Sequence, residues 1–358
     1  MNISRWLKVK PILLVVAASL VALFSQQLLA APFASTRYVH INHMEHSAYV
    51  YNENFERLPD SPFVPGTSIE VLPDGQPLWM LGATIDVVKR NPDGSIDVVS
   101  DDPAYYEMNH HFTWYYYSPN REVTDLCGIN VPLAAGSELT DFRLPSGYAY
   151  KLDGGFINGG DWHWANPYGV PHDEEVYLRF VFLLDNEPEA YEDVNVTWID
   201  MNPCESEFAI PPGKSKMQGP PLVSDRNARI VAVVPHVHDH AKSIMLQLNN
   251  KTLRKFKPEY AKIGTEHDDV GEGITPLHVH KRHMPTEGLS IWTPGINGPI
   301  VRAGDALTAA GVFKNPHDRA IDNMALFVVF WQEITDEIMQ EKVEMENFDA
   351  LTAPAGSH

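Results

Sequence analysis

Along most of the chain, short runs of Val, Ile, Phe, Tyr and Leu alternate with breaks that hold Pro and Gly, and the 3.6-residue spacing of an amphipathic helix is hard to find. The clearest runs predict strands at Val176–Leu184, Ala228–Val234, Ser243–Leu248, Leu307–Phe313 and Met324–Trp331. Asn91-Pro92-Asp93-Gly94 and Pro73-Asp74-Gly75 predict turns, because Pro fixes one φ and Gly accepts a positive one. With 28 Pro and 23 Gly in 358 residues, there are breaks enough for many short strands. The pattern predicts an all-β fold, and the length is too great for one small sandwich.

Ile210–Val223 (IPPGKSKMQGPPLV) is poor in strand formers and lies between two β-rich halves, so it reads either as a linker or as an edge segment feeding the second half. Residues 1–30 stand apart: Arg5, Lys8 and Lys10 precede the apolar stretch Pro11–Phe24, and Ala30 and Ala31 follow. That is the layout of a secretory signal peptide, with an uncleaved anchor as the alternative. The apolar run is shorter than the roughly 20 residues that span a bilayer comfortably. The expected organisation is 1–30 as signal, 31–207 as an N-terminal β-sandwich, 208–335 as a C-terminal β-sandwich and 336–358 as an acidic tail. No membrane span is expected beyond the N-terminal segment, and the expected location is secreted or periplasmic. In such an oxidising compartment Cys127 and Cys204 can form one disulfide, ordinary buried thiols being the alternative.

Charge narrows the partners. A net charge of −20 repels phosphate backbones and anionic lipid head groups, so nucleic acid is excluded as an expected partner.

The candidate chemistry lies in the histidines, of which there are 16. In His236-Val237-His238-Asp239-His240, residues two apart on an extended strand share a face at roughly 6.5 to 7 Å. Two imidazoles at that spacing can converge on one metal ion while Val237 packs away, with His240 as a third or supporting group. A second cluster is His110-His111, where neighbours face opposite sides of a regular strand and can share a metal only at a bulge or a strand end. His163 or His172 could complete that site; Trp162 and Trp164 read as packing residues. A third cluster is His267, His278-Val279-His280 and His283. A cupin pattern with Glu287 does not fit its spacing, and loop histidines on an acidic surface are the simpler account. Met324 opens an apolar strand and by itself reads as core. Its thioether is also a soft ligand suited to copper(I), and imidazole suits copper in both oxidation states.

The joint order of these pieces resembles the copper type II, ascorbate-dependent monooxygenases, the group that includes the peptidylglycine α-hydroxylating and dopamine β-monooxygenases. The similarity is carried by Val233-Val234-Pro235-His236-Val237-His238-Asp239-His240 and by the run from Val301-Arg302-Ala303-Gly304-Asp305 through Gly311-Val312-Phe313 to Asn323-Met324. In the first half His110-His111 is similar to that family's paired histidines. The resemblance implies two tandem jelly-roll-like β-sandwich domains with one copper each across a solvent-filled cleft. His236, His238 and Met324 would form the oxygen-activating site. His110, His111 and a third group would form the electron-storing site, fed by ascorbate or a similar reductant.

Three positions depart from the family pattern. Phe182 stands where the third electron-site histidine is expected, so His163 or His172 must substitute. Val234 and Val328 replace an arginine and a tyrosine that anchor a peptide carboxylate, which argues against peptide amidation and for an apolar or uncharged small-molecule substrate. Two functions are therefore carried forward: a copper-dependent monooxygenase that hydroxylates a C–H bond, and a non-catalytic protein that binds copper or exchanges it with a donor or acceptor protein. Asn195 and Asn250 begin Asn-x-Thr sequons.

Overall fold

The computed structural model describes residues 32–42, 47–57, 68–70, 78–100, 105, 109–114, 133–136, 141–152, 156–158, 160–164, 175–186, 190–205, 207–238, 240–260, 267–268, 279–280 and 289–335. The signal segment, the acidic tail, Cys127, His172 and the turn at Pro73–Gly75 lie outside them. In the first half the strands are β1 (Phe33–Asn42), β2 (Ser47–Tyr51), β3 (Ser68–Glu70), β4 (Leu78–Arg90), β5 (Ile96–Val98), β6 (Asn109–Trp114), β7 (Leu133–Gly136), β8 (Asp141–Arg143), β9 (Tyr148–Leu152), β10 (Phe156–Asn158), β11 (Gly160–Trp164), β12 (Val176–Asp185) and β13 (Glu192–Asp193). The second half adds β14 (Asn195–Asp200), β15 (Glu207–Ile210), β16 (Gly213–Gln218), β17 (Leu222–Val223), β18 (Ala228–Val237), β19 (Ala241–Leu248), β20 (Lys251–Phe256), β21 (His267–Asp268), β22 (Val279–His280), β23 (Ile300–Val301), β24 (Ala306–Asn315) and β25 (Ile321–Glu333). Among the described residues the one helical element is a 3-10 turn at Gly295–Asn297, and no helix is long and apolar enough to cross a membrane. The chain is all-β and built of β-sandwich layers.

Three sheets carry the core. The first runs β13-β9-β4-β12-β1-β2, with β5 and β8 also on β4. The central sheet runs β14-β25-β18-β23, with β15 also on β25, and the outer sheet runs β16-β24-β19-β20, with β17 on β24. Side chains alternate between the faces of a strand, so burial on each face shows what covers it. On β25, Met324, Leu326, Val328 and Phe330 join the core shared with the first sheet, where Phe142 stacks on Phe330 at 4.9 Å between ring centroids. Ala325, Phe327 and Val329 join the core shared with the outer sheet. β18 divides in the same way, and its bulge between Ile230 and Ala232 puts both Val231 and Ala232 toward the first sheet. The central sheet is thus buried on both faces, which is why β18 and β25 read as nearly unbroken apolar runs. On β12, by contrast, Leu178, Phe180, Phe182 and Leu184 face the core while Arg179 on the outer face bonds Asp86 of β4 at 2.6 Å.

Two expectations change. β14 was assigned to the first domain by the 207/208 boundary, but it is hydrogen-bonded along β25, so sheet membership changes between β13 and β14. The reason is pairing: Val196 and Trp198 need the apolar flank of β25, and the chain reaches it before Cys204. Across Val234, Val328, Phe330 and Phe142 the halves also share one core instead of facing each other across solvent. Ile210–Val223 resolves as the edge segment, since β16 and β17 pair with β24. At Asn91–Gly94 the expected turn joins β4 to β5, with Gly94 at a φ of 86°.

Phe330→Ala removes a ring from the shared core and is expected to lower unfolding free energy by about 3 to 5 kcal/mol. Val223→Ala, at an exposed site, should change it by no more than about 0.5 kcal/mol; urea titration followed by circular dichroism measures both. A pH effect follows from His40, whose ring lies 5.0 Å from that of Tyr177. Burial holds its pKa below the ordinary 6.5, against the opposing pull of the Glu175 charge. The unfolded chain therefore binds this proton first, and stability falls as pH drops through 6.5 toward the lower folded value. His40→Gln should flatten that part of the stability profile.

Candidate metal centre

The alternation of β18 carries His236 and His238 onto the face that turns toward the first sheet. His236 stands opposite Leu326, Val237 opposite Ala325, and the next rung is closed by the His238 backbone N–H, which donates to the Met324 carbonyl at 3.0 Å. Residues opposite each other on antiparallel strands share a face, so Met324 lies beside His238 and one diagonal from His236. The two imidazole centroids are 5.2 Å apart with planes at 80°. Metal–nitrogen bonds of about 2.0 to 2.1 Å bring two imidazole centroids on one ion to roughly 5 to 6 Å, so the pair has the required separation. His236 and Met324 are 8 % exposed and His238 4 %. The Tyr260 hydroxyl donates to the His238 carbonyl at 2.9 Å and holds the chain where the strand ends.

His240 is not brought to this pair. Same-face alternation would carry it there only if the strand stayed extended, but β18 ends at Val237 and His240 has a left-handed φ of 66°. Its ring lies 5.7 Å from that of His317 instead. Among the described residues no three or more His, Cys, Asp or Glu side chains gather as metal ligands; the further residue that the register sets beside the pair is Met324. The donor set, two imidazoles and a thioether, fits copper better than zinc or calcium.

Sequence reasoning missed Asp200. It is buried, stands opposite Leu326 on β14, and shares the row and face of His236 two strands away, about 10 Å at 4.7–4.9 Å per strand. A lone Asp ending a strand gave no signal of this. Tyr260 and His317 were also missed, because neither belongs to a sequence cluster.

In the first half only the backbone of β6 and β11 bears on His110, His111 and His163. His111 stands directly opposite His163, and the next pair is Asn109 with Trp164. The register shift leaves His110 as the extra residue on β6. Phe182 is fully buried among core residues of β12, and Val234 and Val328 are buried in the same core. The strands β21 and β22 put His267 opposite His280; His278, His283 and Glu287 lie outside the described residues. Cys204 sits at a φ of 72°, three residues before the strand whose Glu207 stands opposite Met324.

The fold and this site define an all-β sandwich protein with a buried His-His-Met cluster at one end of its central sheet. No family model matches the chain, and no curated protein matches it. Among solved structures it is similar to a recombinant N-glycanase F, PNGase F, at 10% identity and a TM-score of 0.33, over 72% of this chain and 86% of that one. PNGase F described as a glycosylasparaginase from Flavobacterium meningosepticum gives 10% and 0.31, over 78% and 96%. The major capsid protein P2 of bacteriophage PM2 gives 10% and 0.29, over 84% and 98%. Likeness at this level carries no functional argument.

Met324→Leu conserves volume, so it is expected to cost less than about 1.5 kcal/mol in urea unfolding of the metal-free chain. A larger loss would mean that the sulfur also has a packing role that Leu cannot fill.

Proposed function

We propose that the chain is an exported copper protein whose principal site is His236, His238 and Met324. The observation that carries this reading is the rung between His238 and Met324, which sets a thioether beside two imidazoles 5.2 Å apart on one buried face. Copper supplies one-electron and O2 chemistry when bound; the chain orients the ligands through β18 and β25 and keeps bulk water from them by burial.

The fuller reading is a copper-dependent monooxygenase that hydroxylates a C–H bond with O2 and a reductant such as ascorbate. It is supported by the bulge at His110 and by the pairing of His111 with His163, which together offer three histidines for an electron-storing copper and let His163 stand in where Phe182 cannot serve. With Val234 and Val328 in place of charged or polar anchors, the substrate is apolar or uncharged and not a peptide carboxylate. The second reading, copper binding or delivery without turnover, is favoured by the closed core around those two valines. Export is supported by the layout of residues 1–30, and in the oxidising compartment that it implies Cys204 would pair with Cys127, the chain's only other cysteine.

The test is metal content after copper loading, together with O2 uptake in the presence of ascorbate. His236→Ala is expected to lose one copper per chain, and Met324→Ile to weaken copper(I) at least tenfold while sparing copper(II). His163→Ala is expected to lose a separate copper and to abolish ascorbate-dependent O2 uptake with the His236 site still filled. Wild-type chain with no bound copper, or variants with undiminished copper, would overturn the proposal. One copper and no O2 uptake would select the carrier.

A further inference from the structure

The end of the second sandwich holds another pair of imidazoles, built by two chain crossings. Residues 238–240 carry the chain from β18 of the central sheet to β19 of the outer sheet, and residues 316–320 carry it back from β24 to β25. His240 sits on the first crossing and His317 on the second, with ring centroids 5.7 Å apart and planes at 88°. Both Nε2 atoms are buried. The first crossing is tied to the sandwich, where the Lys314 backbone N–H of β24 donates to the His240 carbonyl at 2.8 Å. The buried side chain of Asn315 donates to the carbonyls of Ile210 at 3.0 Å and Arg319 at 2.7 Å, while its own oxygen accepts from the His317 backbone N–H at 2.9 Å. The left-handed φ of His240 aims its ring away from His236 and toward His317.

We propose that His240 and His317 form a second transition-metal site, distinct from the His236, His238 and Met324 centre and one turn of chain away from it. Two imidazoles on one ion bring ring centroids to roughly 5 to 6 Å, and these rings already have that spacing with both backbones held. Imidazole takes copper most strongly among divalent first-row ions, then zinc and nickel; water completes the coordination. An ion held by both rings would fasten the two crossings to each other. Occupancy of the pair does not rest on the copper reading of the His236, His238 and Met324 centre.

The experiment loads the full chain with copper, removes excess by gel filtration, and compares metal per chain in wild type, His240→Ala, His317→Ala and the double variant His236→Ala/His238→Ala. The expected result is one equivalent fewer in each of His240→Ala and His317→Ala, with that equivalent retained by the double variant. Should His317→Ala fail to fold, His317→Gln, which keeps a polar side chain of similar reach, replaces it. Undiminished copper in both single variants overturns the second site and leaves the first standing. An equivalent lost in His317→Ala from a chain that shows none at His236 supports the second site while the first fails. Wild-type chain that binds no copper overturns both.

Discussion

The pairing of β18 with β25 is the constraint on which the rest depends. These two strands form the middle of a sheet that must be apolar on both faces, since the first sheet covers one and the outer sheet the other. Side chains alternate with a period of two, so a slip of one residue would exchange the two faces entirely. The register that buries Leu326 and Val328 against the first sheet and Phe327 and Val329 against the outer one therefore also decides where His236, His238 and Met324 point. The site comes with the core.

Each part of the candidate chemistry uses a different local rule of strand geometry. The His236 and His238 pair uses plain alternation. Met324 joins through a cross-strand rung, as does His163 opposite His111. At His110 the backbone pairing of β6 with β11 shifts register by one residue. His240 and His317 use neither, because the strand has ended and the positions of two crossing loops bring the rings together. Backbone pairing fixes the positions of His236, His238 and Met324 by register, which is the preorganisation that the proposed metal site would require.

Much of this was legible in the sequence, for reasons that can be traced to residues. The strands at Val176, Ala228, Leu307 and Met324 were readable because apolar β-formers stand between Pro and Gly breaks. His-x-His was readable because alternation needs no tertiary information. The unbroken runs ARIVAVV and ALFVVFW did signal burial on both faces, yet that signal does not say which sheets do the covering, and so β14 was assigned to the wrong half. Met324 by spacing alone was ordinary core; only the family resemblance singled it out, and its rung with His238 is a fact of register. Nothing local separates His317 from a solvent-exposed loop histidine, because its partner is brought to it by two crossings far apart in the chain.

Burial also determines how the centre can be reached. The row that contains His236 continues into Val234 and the row of Met324 into Leu326 and Val328, all in closed core against the first sheet. Beyond His238 the strand has ended, Tyr260 holds the backbone and the crossing that carries His240 begins. Reaching the pair along that face would require the first sheet to separate from the central one, which would expose the stacked rings of Phe142 and Phe330.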